Sequence, residues 1–183
     1  MRIIVLLFCL SFIACGSPSQ LEIENGCAAD VPINTTVKKD FKKNFKLQVP
    51  NSWKTSHYYT PISSEMFIAD TTKQLTGSYI MELSYHDAEL NLGSELKAKI
   101  DMFNMENRYS LVDSNELRYK EHPAAFFTLR GKKNNYDVLI FDLYVKTSKT
   151  SYFNSRTEIY GNTNIQERLC ESLAILNTIT FLK

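Results

Sequence analysis

The sequence predicts an α+β domain built on an antiparallel β-sheet, and three observations carry that expectation. Phe45, Leu47 and Val49 alternate with Lys46 and Gln48, the period of a half-buried strand. Val138–Val145 is apolar at seven of its eight positions, which fits a central strand with both faces covered. Leu96, Ile100 and Phe103 recur at helical spacing, as do Ile165, Leu169, Leu173 and Leu176 near the C-terminus. Strands, one helix, a β-meander and a terminal helix, in that order, make an α+β chain.

Composition bounds the function. The chain is 44% hydrophobic and 12% aromatic, as expected of a globular protein. Ten Tyr and eleven Phe against six Gly and five Pro lean towards β structure. Residues 1–14 contain a single charge, Arg2, followed by an apolar run from Ile3 to Ile13. The run ends at Phe12-Ile13-Ala14-Cys15, which resembles a bacterial lipoprotein signal cut before a lipidated cysteine. A spanning helix needs about 20 apolar residues, more than this run supplies. An ordinary secretory signal is the rival, though Phe12 occupies a position where such signals prefer a small residue. Phe12 also replaces the Leu usual in a lipobox. Removing 14 of 183 residues leaves 169, enough for one domain with a sizeable core. It also leaves 20 basic against 20 acidic residues, a balance that argues against a nucleic-acid partner.

The expected organisation is a signal peptide at 1–14, a lipidated Cys15 with a flexible tether to residue 40, and one domain over 41–183. Gly16 to Asp40 is polar and without apolar period, and a flexible coil of its length spans roughly 25–30 Å. Lys38, Lys39, Lys42, Lys43 and Lys46 crowd its end, as a solvated strand face or as a site for anionic lipid. Cys27 and Cys170 remain as an even pair, either disulfide-bonded or as two free thiols. Their spacing matches no metal motif.

Within the domain, Phe41 shares the phase of the strand Phe45–Val49, and Pro50-Asn51-Ser52 turns the chain. Trp53 is expected to anchor the core. Met66–Ala69 and Tyr79–Tyr85 are strands with a turn at Gly77-Ser78. Ser94 is the expected N-cap of the first helix, Glu95 and Lys99 an exposed i, i+4 pair, and Asn107 its fraying end. Asn115–Lys120, Ala124–Arg130, Tyr136–Val145 and Ser151–Tyr160 follow as strands, with Gly131–Asn135 as a long polar turn. Asn164 and Glu167 suggest a capping box for the helix Ile165–Asn177, after which Thr178–Leu182 returns to the sheet edge.

Phe45 to Lys54 reads F-x-L-x-V-P, a short turn, then W-K, and Ile175 to Phe181 reads I-L-N-T-I-T-F. Together with the meander, these stretches resemble PsbP-like domains over Phe41 to Leu182. That family includes an extrinsic photosystem II subunit and many bacterial proteins without assigned activity. The resemblance implies an antiparallel sheet with helices packed on both faces, and an accessory role docked on a larger assembly. His122-Pro123-Ala124 stands where the family often has a glycine, which leaves that turn open.

No catalytic motif appears, and no cofactor or metal is expected. His57, His86 and His122 are scattered, and His86-Asp87 with Glu89 is the one grouping with metal-ligand character. Asp142, the one charge in the apolar central strand, either lines a pocket or meets a cationic or hydroxyl partner. Tyr58 and Tyr59, with Pro61, form either a binding patch or a cover over the sheet end. The resulting expectation is a non-catalytic binding module, acylated (palmitate) on Cys15 and held in the bacterial cell envelope at the outer membrane, facing the periplasm. Its expected partners are the membrane and an envelope protein. The rivals are a small-ligand carrier with an aromatic pocket and a metal-dependent enzyme.

Overall fold

The structure, a computed structural model, describes residues 18–28, 30–105 and 109–182. Cys15 and the signal stretch lie outside the described residues, as do Asn107 and the side chain of Glu95. Among the described residues, ten strands and three α-helices follow in chain order, with a short 3-10 turn at Leu75–Gly77. They are α1 (Gln20–Glu24), β1 (Thr35–Lys39), β2 (Phe45–Pro50), β3 (Lys54–Tyr59), β4 (Ser63–Ala69), β5 (Tyr79–His86), α2 (Leu92–Met105), β6 (Tyr109–Tyr119), β7 (His122–Lys133), β8 (Tyr136–Val145), β9 (Tyr152–Tyr160), α3 (Ile165–Asn177) and β10 (Thr180–Phe181). β3-β4-β5-β9-β8-β7-β6 form one antiparallel sheet, and β1-β2-β10 a small second one.

β8 sits in the interior of the large sheet because both of its faces are apolar. Phe141 and Leu143 point into a core shared with Phe126 of β7, Phe153 of β9, Leu173 and Leu176 of α3, and Phe45 and Leu47 of β2. Ile140 and Tyr144 point the other way, into a core with Phe127 and Leu129, closed by Leu96, Ile100 and Phe103 of α2. Helices therefore cover both faces, with α2 alone on one side and α3 plus the small sheet on the other.

The two-residue turns explain several boundaries. Asn134 and Asn135 both take positive φ (50° and 68°), which closes a tight hairpin with Lys133 paired to Tyr136. Gly131 to Lys133, expected in a long turn, thus remain in β7. Lys120 and Glu121 (φ 48° and 66°) turn β6 into β7, so His122 begins a strand and the turn precedes it. Gly161 (φ 78°) ends β9, where a Cβ would meet the Thr76 side chain at 3.1 Å. Asn164 precedes α3 in a left-handed conformation without a side-chain cap, so the capping box is absent there. Arg168 ties α3 to the sheet instead, donating to the carbonyls of Ser78 (2.7 Å) and Tyr160 (2.8 Å). α2 starts at Leu92, two residues ahead of the expected cap Ser94, whose N–H faces Asn91 Oδ1 at 3.4 Å. β3 had no apolar period to announce it, because its side chains are mostly exposed on an edge. Trp53 packs at the core's margin, edge-on to Tyr79 at 5.0 Å, and is only partly buried.

The described residues of the stretch expected as a flexible tether carry defined structure, beginning at Ser19. Ser19 and Glu22 form a reciprocal capping box for α1, and Leu21 is fully buried in the α3-side core. A disulfide joins Cys27 to Cys170 of α3, and β1 pairs with β2 along its whole length. Polar residues without a periodic pattern concealed this, because β1 is held by backbone pairing and α1 by a single buried leucine and the disulfide. The disulfide spans a sequence separation of 143 residues, and the loop-entropy model assigns such closure about 5 kcal/mol. Reduction, or a Cys27→Ser/Cys170→Ser double variant, is expected to lower the urea midpoint by a stability loss of about 3–5 kcal/mol. It should also open the segment around α1 to proteolysis, and an unchanged midpoint would contradict the clamp.

Candidate functional site

α2 covers β6, β7 and β8 but leaves the same face open over β3, β4 and β5. Side chains of alternate phase line this open half: Ser56 and Tyr58 from β3, Glu65 and Phe67 from β4, Ile80 and Glu82 from β5. Arg156, Glu158 and Tyr160 of β9 and Lys133 of β7 continue it towards α2. Two adjoining hollows result. One of about 460 Å³, shallow and mostly apolar, lies between Tyr58 and Phe67, whose rings meet edge to face at 5.6 Å. The other, about 360 Å³, is polar and shares Phe67 as its wall.

Charge in the polar hollow is mostly paired. Arg156 bonds Asp142 through Nε (2.9 Å) and Nη2 (2.8 Å), a bidentate contact, and its guanidinium lies 5.8 Å from the Phe103 ring of α2. Asp142 is completely buried, and this partner answers what the lone charge in β8 does. Burial pushes the Asp142 carboxyl upward while Arg156 draws it down. Lys133 grips both oxygens of Glu158 (2.7 and 2.9 Å), and Tyr160 OH donates to the same carboxylate at 2.6 Å. Burial and the Glu158 contact raise Tyr160 to about 12. Glu82 sits among these groups, and desolvation raises its pKa despite the pull of Arg156, with Glu65, Asp142 and Glu158 adding to the rise.

Tyr58 and Tyr59 face opposite sides of the sheet. Successive residues of β3 face opposite sides, so Tyr58 enters the hollow while Tyr59 stacks on Phe41 (4.1 Å, 2°) across the sheet. The histidines stay apart as well. His57 is exposed on β3. His86 stacks on Tyr152 at 4.6 Å and faces Ser84 Oγ at 3.0 Å, and burial lowers its pKa. His122 lies edge-on to Phe181 at 5.4 Å. Among the described residues, no group of three His, Cys, Asp or Glu is placed to hold a metal ion. Sequence reasoning missed Phe67, Glu82, Lys133, Arg156 and Glu158. The signal was the polar phase Tyr152, Asn154, Arg156, Glu158, Tyr160 in β9, which marks a strand face left without a helix.

Removing one partner of the buried pair is expected to be costly. Arg156→Leu strands the Asp142 charge, with a predicted loss of about 3–5 kcal/mol in denaturant unfolding, whereas Arg156→Leu/Asp142→Leu recovers most of it. Glu82→Gln tests the raised carboxyl. A folded-state pKa above the unfolded value means stability is lost as pH rises through that interval. The variant should therefore exceed wild type in stability at pH 7, and the gain should vanish below about pH 4.

No family model matches the sequence, and no curated protein matches it. Solved structures do match in shape. Cyanobacterial PsbP from Synechocystis sp. PCC 6803 superposes with a TM-score of 0.56 at 10% identity, over 85% of this chain and 96% of its own. LpqN of Mycobacterium tuberculosis, described as involved in cell envelope biogenesis, gives 0.48 at 14% identity over 80% and 89%. The immunity protein TplEi of the Pseudomonas aeruginosa T6SS gives 0.47 at 12% identity over 74% and 47%. At these identities the likeness concerns fold, and the first match spans nearly all of both chains. The domain has a PsbP-like α+β fold.

Proposed function

We propose that this chain is a lipid-anchored envelope protein whose PsbP-like domain serves as a non-catalytic binding module for a partner protein. The observation that carries the reading is the open half of the large sheet. It joins an apolar aromatic hollow to a strip of already paired charges, the make-up of a docking face. Its shallow, open form suits a protein side chain better than an enclosed small molecule. The Cys27–Cys170 disulfide supports an oxidising compartment outside the cytoplasm, in keeping with the signal-like N-terminus. Among the described residues no helix is long and apolar enough to cross a membrane; the proposed attachment is the lipid on Cys15, on the strength of the Phe12-Ile13-Ala14-Cys15 stretch.

A tagged protein purified from its native envelope in detergent tests this. Wild type should carry an acyl mass on Cys15 and bring down a stoichiometric protein. Tyr58→Ala and Phe67→Ala should each reduce capture about tenfold, the effect of losing one aromatic anchor. Cys15→Ala should move the protein to the soluble fraction in a high-salt wash, which removes charge-dependent lipid binding. A lipidated protein that emerges alone with a bound small molecule would establish the carrier instead.

A further inference from the structure

One rim of the large sheet gathers features that the docking face does not use. The β3–β4, β6–β7 and β8–β9 turns and the end of β5 all lie at this end, by the antiparallel register. The loop between β1 and β2 joins them, since Lys42 Nζ donates to the Pro61 carbonyl at 2.7 Å and Leu182 N–H to the Asn44 carbonyl at 2.7 Å. At one extreme of the rim an apolar knob projects. Phe41 stacks on Tyr59, Ile62 follows in the β3–β4 turn, and the three are 57%, 60% and 64% exposed. Lys43 at this loop's tip and Lys149 in the β8–β9 turn are exposed, with no ion pair among the described residues. Of the bordering carboxylates, Asp87 pairs with Lys42 and Glu121 with Arg118. Asp40 is buried and caps its own loop through the Phe45 N–H (2.9 Å) and Asn44 (3.0 Å). Glu89 between β5 and α2, Glu65 near His86 and the buried Glu22 near Lys120 are further acids at this end.

The other extreme is where the chain enters. Gln20 Oε1 accepts the Arg118 N–H at 3.3 Å, which places the start of α1 beside the β6–β7 turn. Leu21 and the disulfide fix that start, so only four peptide links separate Ser19 from Cys15. They reach at most about 14 Å. Seven strands at their usual spacing put the knob roughly 29 Å from the entry point.

We propose that this rim lies flat on an anionic lipid surface, held at one end by the lipid of Cys15 and at the other by the Phe41–Tyr59–Ile62 knob with Lys43, while Lys149 meets the surface between them. The short link keeps the rim within headgroup reach. The lysines match phosphate charge, and the knob supplies apolar side chains for the interface. The open face of β3 to β5 then stands upright from the membrane, free for a partner. This inference rests on the anchor reading, and the two can fail separately.

Flotation tests it, using the mature chain as Cys15→Ala so that no acyl chain contributes. The protein should rise with phosphatidylglycerol–phosphatidylethanolamine vesicles at low salt and stay down with phosphatidylcholine. Binding should fall about tenfold in Lys43→Glu/Lys149→Glu and in Ile62→Ser. Tyr58→Ala, on the opposite face of β3, should leave it unchanged. Absence of flotation, equal flotation on neutral vesicles, or indifference to the rim substitutions would overturn the proposal. Intact mass of the wild type reports the anchor independently: an unlipidated Cys15 with vesicle binding intact sinks the anchor alone.

Discussion

β8 constrains everything else. A strand with apolar side chains on both faces has to be covered on both sides, and the chain has two ways to do so. α3 and the β1-β2-β10 sheet take one side, and α2 takes the other. At 14 residues, α2 is about 21 Å long, too short to roof seven strands. The uncovered part over β3, β4 and β5 is therefore a direct outcome of how the core was closed, and it is where the candidate binding face lies.

The border between roofed and open sheet is where the charges collect. Asp142 belongs to the covered strand, Arg156 to the strand beside it, and Phe103 of α2 overhangs their contact. A carboxylate taken wholly out of water needs such a bidentate cation. Lys133, Glu158 and Tyr160 satisfy one another a few residues further out. With these groups committed to each other, Glu82 and the Tyr58–Phe67 hollow are what the face offers a partner.

The N-terminal segment bears on how the domain would sit on a membrane under the proposed anchoring. A flexible coil from Cys15 to Asp40 would let the domain tumble well clear of the bilayer. Leu21 in the core and Cys27 bonded to α3 remove that freedom, so the anchor and the domain's orientation become one problem. In the proposed arrangement, the same clamp would present one rim of the sheet to the lipid.

By itself, the sequence determined the α+β class, the two-faced central strand, both long helices and the meander, because strand and helix periods are local and strong in those stretches. It also singled out Asp142, Tyr58 and the Cys27–Cys170 pair, since a lone charge, exposed aromatics or an even cysteine count stands out in one dimension. Tertiary structure alone decided the rest. β3 is an edge strand with polar side chains, so no burial pattern marked it. The Asn134-Asn135 and Lys120-Glu121 turns depend on backbone angles that residue type only permits. Tyr58 and Tyr59 are adjacent in sequence, yet strand pleating sends them to opposite faces. Arg156 and Asp142 meet only because β8 and β9 pair in one register, and pairing of distant segments is the information that a local pattern does not contain.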